Sequence, residues 1–522
     1  MRFTIAALVF PLALASPLAT STTSGNEVQP TLAPLSTTGD HIDDSYIIVF
    51  KDGINLDQIA LHLSGVEQWH GADPLYSWTS NGEIDAGGIN HVYVPTTSNF
   101  GYYGYAGKFS PSTLNTIRAS PEVAYVEHDQ VIRTQDVPQG VDGAFGFPTN
   151  QTGMVTELGA PWGLARLSHR PVLHLSTFTK YIYDTDGGEG VTAYVIDTGI
   201  NIEHVEFEGR AVWGKTIPKN DVDIDGNGHG THCAGTIGSR KYGVAKAAQV
   251  VAVKVLGTNG SGSMSDVVAG VIWAAEQAAS AAAAAVKELA ATGKTKHKGS
   301  VANMSLGGGK AKSLDDAVNA AVAAGLHFAV AAGNDNKDAC NYSPAGAVNA
   351  VTVGASTLGD ERAYFSNHGK CVDVFAPGLG IYSTWNSGNQ STNTISGTSM
   401  ASPHICGLLA YLLSIQGTES FTILDDSVTA PLAAGVYARA FSLLPRMVQA
   451  VLPAPAASPL ETSSAGDDLT RPTPPKNNGT VTPAQLKKAL IALASSGMLT
   501  DLPTGTPNLL AFNNASLPAA RN

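Results

Sequence analysis

The sequence predicts an α/β protein whose main domain is a parallel sheet flanked by helices, with a smaller α+β unit ahead of it. Two strand-like runs and two helical ones carry that reading. Thr192-Ala193-Tyr194-Val195-Ile196 is an unbroken β-branched and aromatic stretch ending in Asp197, as a strand buried on both faces would. Phe328-Ala329-Val330-Ala331-Ala332 is a second apolar strand and ends in Gly333-Asn334. Ligand crevices in open α/β sheets lie beyond such C-terminal tips. The helical partners are the Ala-rich run from Val267 and the apolar run 400–413, which has Pro403 in its first turn.

Length and composition fit this organisation. At 522 residues, 43% hydrophobic and 14% charged, the chain can fill one large core and a smaller domain. Its formal net charge of −12 argues against nucleic acid or an anionic membrane as partner. Arg2, an apolar segment and Ala13-Leu14-Ala15 read as a signal peptide over residues 1–15, and no later apolar run reads as a membrane span. Strand-like runs at 45–51 and 122–132 flank weaker helical patterns, giving an α+β domain over 44–134. Taken alone, a free-standing binding domain fits that segment too.

The main domain spans 160–415. Its helix from Val267 continues through a poly-alanine stretch to a basic loop, Gly293-Lys294-Thr295-Lys296-His297-Lys298. Residues 416–481 are atypical: an apolar stretch at 433–452 precedes a Pro/Ser/Thr-rich linker at 453–478. A processed loop, a partner surface and a wrongly retained segment are all open readings. Thr482-Pro483-Ala484-Gln485 then starts a helix, with proline at its first position and a capping-box glutamine, within a C-terminal unit 482–522. Four cysteines are too few for a disulfide framework; Cys233 and Cys406 lie in apolar helical contexts and read as packed free thiols. Asn150, Asn389 and Asn478 are sequons suited to loops, whereas Asn303 falls in a strand.

Three segments carry the chemistry: Val195-Ile196-Asp197-Thr198-Gly199, His229-Gly230-Thr231-His232-Cys233-Ala234-Gly235, and Gly397-Thr398-Ser399-Met400-Ala401-Ser402-Pro403-His404. A serine hydroxyl attacks a carbonyl usefully when a histidine takes its proton and a carboxylate fixes that histidine. Each segment also has a plainer reading. Asp197 alone could cap a helix, Ser399 alone could be an N-cap, and Gly333-Asn334 alone is a turn. His229, His232 and Cys233 also invite a zinc reading, but no complementary ligand cluster appears elsewhere. Together, in the order acid, histidine, serine, the segments point to one hydrolytic site.

On these motifs the chain resembles the fungal subtilisin-family serine proteases, in the proteinase K and cerevisin branch. The resemblance implies a subtilisin-like parallel sheet behind an inhibitory pro-domain at 44–134, whose tail lies in the cleft until cleaved. It implies a catalytic set of Asp197, His229 and Ser399, with Asn334 in the oxyanion hole. Gly260, Ser261 and Gly262 on one side and Ser305, Leu306 and Gly307 on the other would bind an extended peptide, and Ala332 and Gly333 would line the primary pocket. A Cys340–Cys371 bridge is implied, and so is a structural calcium ion held by Asp373 with backbone carbonyls near Val348 and Ala350. Asp221, Asp223 and Asp225 read more simply as an acidic turn than as a second calcium site.

The mature chain would begin between Gln135 and Ala160. The lengthened helix and basic loop tilt the destination toward the vacuole, with the extracellular space as alternative. The function expected is a broad-specificity, self-processed serine endopeptidase. It acts as a monomer on proteins and peptides, needs no cofactor for its chemistry, and has its own pro-domain as inhibitor. A catalytically silent binding protein is the competing reading. A lipase-type nucleophile elbow is disfavoured because Ser399 lies in G-T-S-M-A.

Overall fold

The computed structural model describes residues 31–74, 78–80, 83–85, 87–96, 100–138, 153–418, 420–423 and 481–515. The signal peptide 1–15, the sequons Asn150 and Asn478, residues 139–152 within the span expected to hold the mature start, the greater part of the insertion, from 424 to 480, and the tail from 516 lie outside the described residues.

The main sheet has nine strands, in spatial order Ala211–Thr216, Gln249–Lys254, Val191–Asp197, Gly299–Met304, His327–Ala331, Val351–Ser356, Val374–Pro377, Leu509–Leu510 and Ser495–Ser496. Every pairing but the last is parallel. Both faces are covered, as the unbroken apolar runs require. Ala193 and Val195 point into a core shared with Ala234, Ile405 and Leu409, while Tyr194 and Ile196 point into the opposite core with Val267, Val271 and Val318. This two-residue alternation places the helices His229–Gly238 and Thr398–Ser414 on one face and Met264–Thr292 and Lys312–Ala323 on the other.

The helix Met264–Thr292 departs from expectation in one respect, because it is long and apolar enough to cross a membrane. Its first half is buried in the core through Val267, Val271, Ala274 and Ala278, and its second half brings Lys287 and Glu288 to the surface. The final helix, Pro483–Leu493, starts with the expected capping box between Thr482 and Gln485, and Leu486 and Leu490 bury its inner face. Cys340 and Cys371 are bridged, and Cys233 and Cys406 are free and buried. Asn303 is fully buried, whereas Asn389 is exposed.

The α+β unit is an antiparallel sheet in the order Val123–Thr134, His41–Phe50, Gly104–Lys108 and Gly88–Tyr93, with two helices, Leu56–Ala72 and Pro111–Ala119. It has its own core, built on Ile48, Phe50, Ile59, Val66, Tyr105, Leu114, Ile117 and Val126. Two carboxylates on its last strand dock it on the main domain. Asp129 Oδ1 accepts from the Ser265 backbone N–H (3.0 Å) and Oδ2 from the Ser265 hydroxyl (2.6 Å). Glu127 accepts from the backbone N–H groups of Lys312 (3.0 Å) and Ser313 (2.9 Å). A helix start carries unpaired N–H groups and partial positive charge, so each acid caps one helix of the larger domain. The helix at Lys312 has no side-chain cap of its own, and Glu127 supplies the missing one. A charge-assisted bond of this kind contributes about 1.5–3 kcal/mol, so Glu127→Ala should weaken the hold of this unit on the larger domain roughly tenfold or more. The check is hydrogen exchange at the Lys312 and Ser313 amides of the full-length chain, whose protection should fall; unchanged protection contradicts the assignment.

Three buried histidines set an acid limit on the fold. Burial lowers His404 and His327 to about 4, and burial with the nearby His229 charge lowers His232 to about 3. In the unfolded chain these groups bind protons near the ordinary value of about 6.5. The unfolded state therefore takes up more protons between pH 6.5 and 4, and stability falls with pH across that window. We expect Tm of the Ser399→Ala precursor to drop steadily from pH 6.5 to 4; a flat Tm there contradicts this account.

Candidate active site

Asp197 ends its strand at the C-terminal edge of the sheet, and its Oδ1 accepts from the Thr198 N–H (2.7 Å) and faces His229 Nδ1 (2.8 Å). Both side chains are fully buried. His229 is the first residue of its helix and follows Gly228, whose φ of +107° favours glycine. A Cβ at Gly228 would also lie 2.5 Å from the Trp385 ring. Asp225 ties this loop down: Oδ1 accepts from Gly228 N–H (2.8 Å) and the Thr198 hydroxyl (2.9 Å), and Oδ2 from Thr231 N–H (3.0 Å). Burial alone would lower the His229 pKa, but the Asp197 carboxylate and the Cys233 sulfur raise it well above its ordinary value. With Nδ1 held by Asp197, His229 Nε2 is buried without a hydrogen-bond partner.

Ser399 is the second residue of its helix, so its backbone N–H is one of the unpaired donors at a helix start. That N–H donates to the Gln135 carbonyl at 3.1 Å. The Ser399 hydroxyl donates to the Ser305 carbonyl (2.9 Å) rather than to His229. The nucleophile-to-base hydrogen bond is therefore not formed in this arrangement, and rotation of the serine side chain is needed to make it. Cys233 Sγ touches both residues, 3.9 Å from His229 Nδ1 and 3.5 Å from the Ser399 carbonyl.

Asn334 lies just beyond its strand, with Oδ1 accepting from both the Thr398 N–H and the Thr398 hydroxyl at 2.9 Å. That orientation leaves Nδ2 buried without a partner. A Cβ placed on Gly397 would lie 2.3 Å from the Gln135 carbonyl oxygen and 3.2 Å from Asn334 Nδ2, so the missing side chain keeps open the hollow they share. The Ser399 N–H and Asn334 Nδ2 thus border the place of one carbonyl oxygen.

The carbonyl belongs to the chain's own tail. The strand Val123–Thr134 runs into the cleft between two edges, pairing Ser261 with Arg133 and Gly262 with Ile132 on one side, and Leu306 with Thr134 and Gly307 with Arg133 on the other. Thr134 N–H donates to Gly260 O (3.0 Å) and Gln135 N–H to Ser305 O (3.3 Å). Beyond Gln135, Val137–Pro138 pairs with Ser396 and Ile395. All six cleft residues singled out in the sequence meet this segment. Ala332 and Gly333 are buried behind it, Gly333 N–H donating to the Thr398 hydroxyl (3.1 Å), while the Gln135 side chain folds back over Gly307 O (3.4 Å).

Sequence reasoning missed Gln135, Asp225, Thr398, Glu127 and Asp129. Asp225 carried a signal, an acid three residues before a glycine-led helix start, but it was absorbed into the acidic turn. Glu127 and Asp129 alternate along one strand face, which marks a shared face without naming its partner.

Of the metal readings, only the calcium expectation at Asp373 requires correction; zinc and a second calcium site were the disfavoured ones. His232 Nε2 is bonded to the Ile381 carbonyl (3.0 Å), turned to packing rather than to a ligand set with His229. Among the described residues, the one group of His, Cys and acid side chains close enough to hold a metal is Asp197, His229 and Cys233, and there Nδ1 is already committed to Asp197. Asp373 does not fit a calcium ligand. Its Oδ2 is 2.9 Å from the Lys487 ammonium, which also donates to the expected co-ligands, Val348 O (3.1 Å) and Ala350 O (2.6 Å). A divalent ion and an ammonium cannot share those oxygens. Asp221 is likewise engaged by Lys254 (3.3 Å), and Asp223 by the Thr216 hydroxyl (2.7 Å).

The pattern of the subtilase family (Peptidase_S8) matches residues 188–423, and that of peptidase inhibitor I9 matches residues 45–135. Subtilisin-like protease 8 of Arthroderma otae is 47% identical over 515 residues, covering 96% of this chain and 87% of its own. Subtilisin-like serine protease Pen c 2 of Penicillium citrinum is 48% identical over 507 residues, covering 95% and 93%. Alkaline protease 2 of Aspergillus fumigatus is 47% identical over 512 residues, covering 97% and 88%. Shared identity of this depth along nearly the whole chain, with an inhibitor segment ahead of the protease segment, shows that the chain belongs to the subtilase family and is a serine endopeptidase with an I9 propeptide.

Proposed function

We propose that the enzyme's first substrate is its own Gln135–Asp136 bond. The Ser399 hydroxyl turns from Ser305 O, gives its proton to His229 Nε2 and attacks the Gln135 carbonyl carbon. Asp197 holds Nδ1–H and balances the imidazolium. Charge gathers on the carbonyl oxygen, where the Ser399 N–H and Asn334 Nδ2 stabilise it. The tetrahedral adduct collapses as His229 passes the proton to the Asp136 nitrogen, breaking the peptide bond and leaving an ester between Ser399 and Gln135. Water, deprotonated by His229, hydrolyses the ester and frees the Gln135 carboxylate. The observation that carries this reading is the Ser399 N–H to Gln135 O contact of 3.1 Å, flanked by paired backbone on both sides.

The same two edges would then hold other extended peptides through their backbones, giving broad endopeptidase specificity, with Ala332 and Gly333 behind the primary pocket. Because His229 must be neutral to act as base and its pKa is raised, the acid limb of kcat/KM should lie above pH 6.5. Purified precursor incubated with casein and a fluorophosphonate probe tests the reading. The parent should label and cleave casein; absence of labelling after loss of the pro-segment would overturn it. Residues 1–15 support entry to the secretory pathway, with the vacuole as destination and exposed Asn389 as a glycan acceptor; endoglycosidase treatment of vacuolar and culture-medium fractions tests both.

A further inference from the structure

We infer that Lys487 is a built-in cation that takes the place of a structural calcium ion, so that this part of the fold is independent of metal. The ammonium has three N–H donors, and three oxygens receive them: Asp373 Oδ2 at 2.9 Å, Val348 O at 3.1 Å and Ala350 O at 2.6 Å. One carboxylate and two carbonyls are oxygens of the kind a hard cation takes, with water completing its shell. The carboxylate is itself fixed, because Asp373 Oδ2 accepts from the Thr352 N–H (2.8 Å) and Asp373 N–H donates to Thr352 O (2.9 Å). Lys487 is positioned by its helix rather than by the loop it neutralises, since Leu486 and Leu490 on either side are buried in the main core.

The same device occurs a second time. Lys254 is fully buried at the end of the strand beside Asp197, and its ammonium donates to Thr198 O (3.0 Å) and Leu256 O (2.9 Å) and lies 3.3 Å from Asp221 Oδ2. Two carbonyls and a carboxylate again surround an ammonium.

A tethered charge differs from a bound ion in being always present. A chelator cannot remove it, and added calcium gains nothing at that place. Removing the lysine head would leave a preset carboxylate and two carbonyls converging on a vacated position, so Lys487→Ala should create a calcium site that the parent lacks. The test compares full-length precursors, both carrying Ser399→Ala so that neither digests itself, by calcium titration calorimetry and by Tm in EDTA and in millimolar calcium. Ions bound elsewhere are common to both proteins and cancel in the comparison. The expected result is one additional calcium bound by Lys487→Ala, with a Tm about 2–4 °C below the parent in EDTA and largely restored by calcium. Adding Asp373→Asn to Lys487→Ala should abolish the additional binding. Equal calcium stoichiometry in the parent and Lys487→Ala would overturn the inference. So would a calcium-dependent Tm in the parent that Asp373→Asn removes.

Discussion

Ser399→Ala should leave the precursor uncut and lower casein turnover by about six orders of magnitude, the scale found for loss of the nucleophile in subtilisin itself, a member of this family. The size follows from how the site works. Without Oγ there is no ester, and His229 and Asp197 have no proton to move, so three residues fail together. The fold should be intact, because Ser399 anchors the tail through its backbone N–H and the hydroxyl contributes only the bond to Ser305 O. Intact mass, casein turnover and Tm measured on one preparation check this. Residual self-cleavage at the parent rate would contradict it.

Asn334→Ala should reduce kcat about a hundred- to a thousand-fold while KM changes little. The figure is again the one found for an oxyanion-hole asparagine in subtilisin. Only the amide donor is lost, and it acts on charge that exists in the transition state rather than on the bound peptide, which is held by the backbone of Gly260, Ser305 and their neighbours. Thr398 makes the prediction sharper. Its N–H and hydroxyl both donate to Asn334 Oδ1, so Thr398→Val, which keeps the N–H and loses the hydroxyl, should loosen the amide and cost part of the same factor, whereas Thr398→Ser should retain most of it. If Asn334→Ala raised KM and left kcat unchanged, the amide would be a peptide-binding group instead.

The chemistry of this chain was legible because it is concentrated where sequence patterns end. Asp197 and Asn334 follow apolar runs, and His229 and Ser399 open helices, so each polar residue stands out against its surroundings. The cleft edges were legible through their glycines. That a tail lies in the cleft was implied by the family resemblance, but the bond it presents was not legible: Thr134-Gln135-Asp136-Val137 has no composition that marks a bond held against a serine, and its place emerges only when Val123–Thr134 pairs with both edges. The calcium expectation failed for a related reason. Asp373 announces an anion but not its counterion, and Lys487 reaches it from a helix that follows the whole insertion. Long-range charge pairing leaves no local periodicity to read. Glu127 and Asp129 are similar, since a strand shows which residues share a face and not which helix ends they will meet.

The account stands most directly on the identity of the first bond cut. Mass spectrometry of the pro-segment released by the parent should give a C-terminus at Gln135, with Ser399→Ala releasing none. A pro-segment ending elsewhere would contradict the placement of the tail in the cleft. Release at the same rate from Ser399→Ala would contradict the assignment of the nucleophile.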